Sequence, residues 1–328
     1  MIKFRSAIAV AGALLLASVT SAAAQTKVTF QLSWIPTGQF AAYFAGIANG
    51  FYKAEGIDLT IQRGNGSGEA VRRVAAGGAL FGDGDIGAVM SGRARENLKS
   101  KCIMSVYTQS PHSLFVIEGS GINGIKDLEG KSVGTTAGNS HQVYFPILAK
   151  MAGVDPSKVR FVTLDPTALN AAFLNGQVDA VTQFSINYYF QNLQAERVHK
   201  KVKVLPYADY GFKIYSICIH ASDETIAKKP ELVKAFLRAT KKSFEWTRDN
   251  PEKAAELHKQ MNPEADVPSS LGEIRAFLKL VFNEDSKRVG LGKFDPEQLK
   301  ATWKIVAESQ KLDASIPASE FVDTRFVP

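Results

Sequence analysis

Short apolar runs suited to strands alternate with amphipathic helical stretches through the first two thirds of this chain, and that alternation points to an α/β fold. Residues 28–32 read as a strand, 39–49 as a helix closed by Gly50, and 57–61 as a second strand after Glu55 and Gly56. A strand, a helix and a strand in that order predict parallel pairing through a right-handed crossover. The series continues with a helix at 68–76, a short strand at 85–89, a helix at 91–98 and a strand at 102–108. A second series follows: strand 131–135, helix 140–151, strand 159–164, helix 167–174 and strand 178–182.

After Tyr215 the character changes to long amphipathic helices at 230–248, 251–260, 269–281 and 296–307, several opening on proline after an Asp or Asn able to cap them. These helices are expected to pack back on the first unit. The organisation that follows is one lobe from 25–111 and 210–328, a second from 112–209, and two connecting segments forming a hinge around a cleft.

The N-terminus places this fold outside the cytoplasm. Lys3 and Arg5 precede a nearly unbroken apolar stretch at 7–19, and Ala22, Ala23 and Ala24 supply the small residues a signal peptidase needs before Gln25. The stretch is shorter than the roughly 20 residues that cross a bilayer, and no cysteine stands at the cleavage site to accept a lipid. Residues 1–24 are therefore read as a signal peptide cleaved after Ala24, and the remainder as a periplasmic protein.

The net charge of +7 belongs partly to that leader and partly to the C-terminal third, where Lys228, Lys229, Lys241 and Lys242 alternate with apolar residues at helical spacing. That pattern is a solvated helix face, so no nucleic-acid partner is expected. Cys102 and Cys218 both lie in apolar runs; they either pair in an oxidising compartment or remain two buried thiols. No Cys/His spacing suits a metal, and no cofactor is expected.

The stretch Gly82-Asp-Gly-Asp-Ile-Gly87 matches a dinucleotide fingerprint in letters only, because its aspartates stand where a pyrophosphate must approach and no convincing strand precedes it. As a calcium loop it fails at Ala88, where glycine is needed, and at Ala94, where a bidentate glutamate is needed. There is no G-x-S-x-G elbow, and His141 beside Ser140 reads as the first turn of a helix. Two glycine-rich loops, 64–68 and 136–140, open helices and would aim backbone N–H groups at a polar ligand. Trp34 and Phe40, just after the first strand, are candidates for stacking on a planar ring, whereas Phe44 and Ile47 suit a core.

These residues carry a resemblance. The segments beginning Leu32-Ser-Trp-Ile-Pro, Ala42-Tyr-Phe-Ala and Gly50-Phe-Tyr-Lys-Ala-Glu-Gly resemble the opening of periplasmic binding proteins for thiamine-type pyrimidines, whose more distant relatives bind sulfonates, taurine and nitrate. Ile125-Lys-Asp-Leu-Glu-Gly-Lys-Ser-Val-Gly and Leu174-Asn-Gly-Gln-Val-Asp-Ala resemble later landmarks of that family. The resemblance implies a type II periplasmic binding fold that delivers solute to an ABC permease in the inner membrane, acting as a monomer.

Carried over by motif, the ligand-binding positions are Trp34, Gln39, Phe40, Met90, Ser91, Gln109 and Ser110, with Ala137, Asn139, Ser140, Gln183, Phe184 and Asn187 from the second lobe. The family also contains pyrimidine synthases that use a histidine six residues after the tryptophan; Phe40 stands there, and their cysteine-rich strand is replaced by Phe212-Lys-Ile-Tyr-Ser-Ile-Cys-Ile. The reading is a binding protein rather than an enzyme, with a synthase or a sensor for a membrane receptor as alternatives. Its expected ligand is a planar polar heteroaromatic such as a pyrimidine or flavin precursor, ahead of an aromatic carboxylate or alkanesulfonate. No acidic residue stands in 183–187, where pyrimidine binders commonly place one.

Overall fold

The computed structural model describes residues 25–328; the leader expected at 1–24 lies outside the described residues. Ten strands are present among them: β1 (Thr26–Gln31), β2 (Ile57–Gln62), β3 (Phe81–Asp85), β4 (Ser100–Ser105), β5 (His112–Ile117), β6 (Ser132–Thr135), β7 (Arg160–Thr163), β8 (Ala180–Phe184), β9 (Val202–Pro206) and β10 (Ile217–Ser222). They form two five-stranded sheets, ordered β2-β1-β3-β10-β4 and β7-β6-β8-β5-β9. β1 pairs with β2 in parallel, Thr26 opposite Ile57 through Gln31 opposite Gln62, as the strand, helix and strand pattern predicts. In each sheet one strand runs against its neighbours: β10 is antiparallel to β3 and β4, and β5 to β8 and β9.

The chain passes from the first sheet to the second between β4 and β5 and returns between β9 and β10. The result is the two-lobed α/β architecture of type II periplasmic binding proteins. In the first lobe the helix Pro230–Asp249 buries Val233, Phe236, Leu237 and Phe244, and the Phe236 ring stacks on Phe81 at 4.2 Å between centroids. Asp266 and Asp295 cap the helices Val267–Val281 and Pro296–Gln310, each with proline in the first turn, where its missing N–H costs nothing.

One reading of the sequence is corrected. Residues 85–89 are not a strand: the strand is Phe81–Asp85, and Ile86–Glu96 is one continuous helix. Gly and Asp are poor strand formers, yet here both have work. A Cβ on Gly82 would stand 2.9 Å from His220 Nε2, so glycine makes room for that ring on the neighbouring strand, while Asp83 accepts from Ser33 in the loop after β1 and Asp85 caps the helix that follows. The last of the late helices touches both lobes. Pro296–Gln310 packs against both Ile86–Glu96 of the first lobe and Ser140–Ala152 of the second, sharing a core in which Leu299, Trp303 and Val306 join Tyr144 and Leu148.

Cys102 of β4 and Cys218 of β10 form a disulfide, their Cα atoms 5.7 Å apart on adjacent strands. Of the two states the sequence left open, the paired one is found.

Candidate functional site

Where β1, β2, β6 and β8 end, the two lobes face each other across a narrow cavity that is partly open to solvent. Ser33 and Trp34 follow β1, and Gln39 sits in the 3-10 turn Gly38–Phe40. Gly66 and Ser67 begin the helix after β2, while Asn139, Ser140 and His141 begin the helix Ser140–Ala152 after β6. Thr182, Gln183 and Phe184 end β8, and Asn187 closes the turn after it. These are the carboxyl ends of parallel strands, where open α/β sheets leave a crevice.

Of the positions carried over from the resemblance, Trp34, Gln39, Asn139, Ser140, Gln183, Phe184 and Asn187 line this cavity, and six others do not. Phe40, 2% exposed, points into the first lobe's core, and Met90 is fully buried within its helix. Ser91 donates back to Gly87 O at 2.6 Å and borders a separate groove with Arg72 and Arg95. Gln109 and Ser110 line a pocket on the hinge, and Ala137 lies on an outer rim beside Glu69 and Arg72. Met90 and Ser91 lie within the helix Ile86–Glu96 rather than after a strand at 85–89. Ser33, Gly66, Ser67, His141 and Thr182 complete the lining; in sequence His141 reads as an ordinary first-turn residue, and Gly66 and Ser67 belong to the glycine-rich loop 64–68.

Among the described residues no charged side chain lines the cavity, although carboxylates stand directly behind it. Asp83 accepts from Ser33 N at 2.7 Å and from Ser33 Oγ at 2.9 Å; burial pushes its carboxyl up to about 7 against those bonds. Glu273, of the helix Val267–Val281, accepts from Gly38 N with one oxygen and from Asn187 Nδ2 with the other, and burial pushes it up to about 7 as well. His141 is held down to about 3 by burial. Its two ring nitrogens face Asn139 Oδ1 at 2.6 Å and Gln183 O at 2.9 Å, and a neutral ring donates through only one of them.

The lobes are in direct contact around the cavity. Gly68 N donates to Gly138 O at 3.1 Å, Thr136 Oγ1 to Asn65 O at 2.9 Å, and Asn187 Nδ2 to Glu273 Oε1 at 3.2 Å, each bond crossing from one lobe to the other. This is a closed arrangement. Deeper in, Ser140 Oγ lies 3.0 Å from His112 Nε2, and Asp85 Oδ2 lies 3.6 Å from the same nitrogen. A hydrolytic triad needs the acid on the opposite ring nitrogen; here Nδ1 is taken by Ser110 Oγ at 2.6 Å, so the three do not form one. Among the described residues no group of three or more His, Cys, Asp or Glu could hold a metal ion, and no helix is long and apolar enough to cross a membrane.

The family model described as NMT1/THI5 like matches residues 37–254. The chain belongs to the NMT1/THI5-like family. The chain is 28% identical over 310 residues to the riboflavin-binding protein RibY of Chloroflexus aurantiacus, covering 92% of this chain and 86% of the relative. It is also 27% identical over 247 residues to the 4-amino-5-hydroxymethyl-2-methylpyrimidine phosphate synthase of Legionella pneumophila, covering 74% and 76% of the two chains. Among solved structures, the alkanesulfonate-binding protein SsuA of Xanthomonas axonopodis pv. citri superposes with a TM-score of 0.69 at 13% identity, over 92% of this chain and 98% of that one. The proteins this chain resembles in sequence thus include one named as a solute binder and one named as a synthase, and the side chains at the cleft bear on which of the two it is like.

Proposed function

We propose that this protein is the exported solute-binding component of an ABC importer, closing its lobes over a small, planar, uncharged polar molecule. One observation carries the reading: the interlobe cavity combines the aromatic side chains Trp34 and Phe184 with the amides and hydroxyls of Gln39, Asn139, Ser140, Gln183 and Asn187, and with no charged group. Aromatic faces take a planar ring, amides and hydroxyls take its polar edge, and closure removes both from water. The absence of a lining cation disfavours carboxylates and sulfonates, and the similarity to a riboflavin-binding protein supports a flavin or pyrimidine-type heterocycle.

A second reading, a synthase, is supported by the similarity to the Legionella enzyme. It predicts turnover, whereas the binding reading predicts reversible, stoichiometric complex formation with no product. A thermal-shift screen of the protein without residues 1–24 against riboflavin, pyrimidines, aromatic acids and sulfonates separates ligand classes, because a ligand that binds only the folded state raises Tm with its saturation. Selective stabilisation by neutral heterocycles is expected; stabilisation by sulfonates or carboxylates alone overturns the assignment of class.

A further inference from the structure

We infer that the cavity reads its ligand through two side chains of fixed polarity, Asn187 as an acceptor and Ser140 as a donor, each set by a residue buried behind it, Glu273 and His112. The inference rests on the solute-binding reading. It narrows the ligand to a neutral heterocycle that brings one N–H or O–H to Asn187 and one carbonyl or ring-nitrogen acceptor to Ser140.

Asn187 is 3% exposed, and its Nδ2 donates to Glu273 Oε1 at 3.2 Å. Above pH 7, where its carboxyl is ionised, Glu273 has only acceptor sites, so it turns the amide nitrogen toward itself and leaves the carbonyl oxygen for the cavity. The second carboxylate oxygen is engaged by Gly38 N–H. That donor cannot turn away: it belongs to backbone, and the turn is pressed against the helix so closely that a Cβ on Gly38 would stand 2.6 Å from Ser270 O. With a donor on each oxygen, Glu273 cannot be replaced by its amide without reorienting a neighbour, and Asn187 is the neighbour free to rotate.

The donor end is fixed by the histidine tautomer. Ser110 Oγ accepts from His112 N at 3.3 Å and can donate its own proton to His112 Nδ1, 2.6 Å away, while the carboxylate oxygen Asp85 Oδ2, 3.6 Å from Nε2, favours the ring proton there. Nδ1 is then an acceptor, and the single proton of the neutral ring lies on Nε2. Nε2 faces Ser140 Oγ at 3.0 Å, so Ser140 accepts from the imidazole and its own proton remains for the cavity it lines. Glu273 and His112 are positioning residues; neither lines the cavity.

The test begins with ligand-free protein at pH 8. In a nitrogen-15 NMR spectrum, the side-chain amide of Asn187, assigned by its loss in Asn187→Ser, is expected to show one proton protected from exchange. Glu273→Gln should abolish that protection, because the introduced amide keeps its oxygen for Gly38 N–H and forces Asn187 to rotate. An Asn187 amide signal unchanged by Glu273→Gln overturns the inference. The second arm uses riboflavin and its N3-methyl derivative as probes. Glu273→Gln should weaken riboflavin at least about tenfold. Adding Asn187→Asp to Glu273→Gln, which restores an acceptor facing the cavity, should recover most of the loss; a double variant no better than the single one counts against Asn187 as acceptor. If neither riboflavin nor any pyrimidine shifts the wild-type melt, the ligand class proposed above fails, while the amide signal still decides the polarity of Asn187.

Discussion

Tyr144, carried by the second lobe, donates its hydroxyl proton to Asp85 Oδ1 at 2.6 Å, and the carboxylate that receives it is fully buried at the end of β3 in the first lobe. Gly87 N at 2.9 Å and Ser216 Oγ at 2.8 Å supply the other donors. Burial pushes the Asp85 carboxyl up to about 6, and the bonds from Tyr144, Ser216 and Gly87 hold it from rising further.

Removing the phenol should therefore cost more at high pH than at low. A carboxyl whose pKa is higher in the fold than in the unfolded chain, near 3.9, favours the folded state in its protonated form; that contribution is complete below about 3.9 and is lost as pH rises through about 6. Tyr144→Phe raises the folded value again, so the loss on ionisation grows. Urea unfolding of Tyr144→Phe should show a deficit of about 1–3 kcal/mol at pH 8 and a smaller one at pH 5. The reverse order would mean that Tyr144 does not stabilise the ionised carboxylate.

Trp34 lines the cavity and also packs against hydrophobic clusters of both lobes. Replacing it by alanine removes the largest aromatic face available to a planar ligand. Trp34→Ala should weaken the best ligand of the thermal-shift panel at least about tenfold by isothermal titration, as loss of a buried aromatic contact does. Unchanged affinity would take Trp34 out of the site.

How much of this was legible in the sequence depends on what each residue answers to. β1, β2 and the helices Ser140–Ala152 and Pro230–Asp249 follow local periodicity, which a single chain displays. β3 does not, because Gly82 and Asp83 are chosen for a histidine on another strand and a serine in another loop, and pattern alone shows neither partner. The same division holds at the site. Trp34, Asn139 and Ser140 stand at strand ends and helix starts that motifs mark, whereas Glu273 reaches Gly38 across 235 residues of sequence and carries no local signature.

One glycine sits where the two lobes touch. A Cβ built on Gly272 in the first lobe would lie 2.3 Å from Cγ of Tyr189 in the second, so the ring rests on the backbone of the helix Val267–Val281. Gly272→Ala should hold the lobes apart and reduce ligand affinity, while the replacement of glycine within a helix leaves unfolding stability unchanged or slightly higher. Adding Tyr189→Ala should restore both closure, read by small-angle scattering with ligand, and affinity. A double variant as impaired as Gly272→Ala alone would show that the contact does not limit closure.

The Cys102–Cys218 disulfide joins β4 to β10, and the 116-residue separation between its ends contains all five strands of the second sheet and both crossings between lobes. Cross-linking so long a loop restricts the unfolded chain strongly; in the chain-entropy description the effect is about 4–5 kcal/mol, and native disulfides commonly deliver 2–5. The replacement of both cysteines by serine also places two hydroxyls in a fully buried setting, so alanine is the cleaner probe of the link. The double variant Cys102→Ala and Cys218→Ala should unfold at a lower urea concentration than oxidised wild type, and wild type kept reduced with dithiothreitol should move in the same direction. If reduction leaves the wild-type midpoint where it was, the two thiols are unpaired in solution and the first lobe holds its strands together without the link.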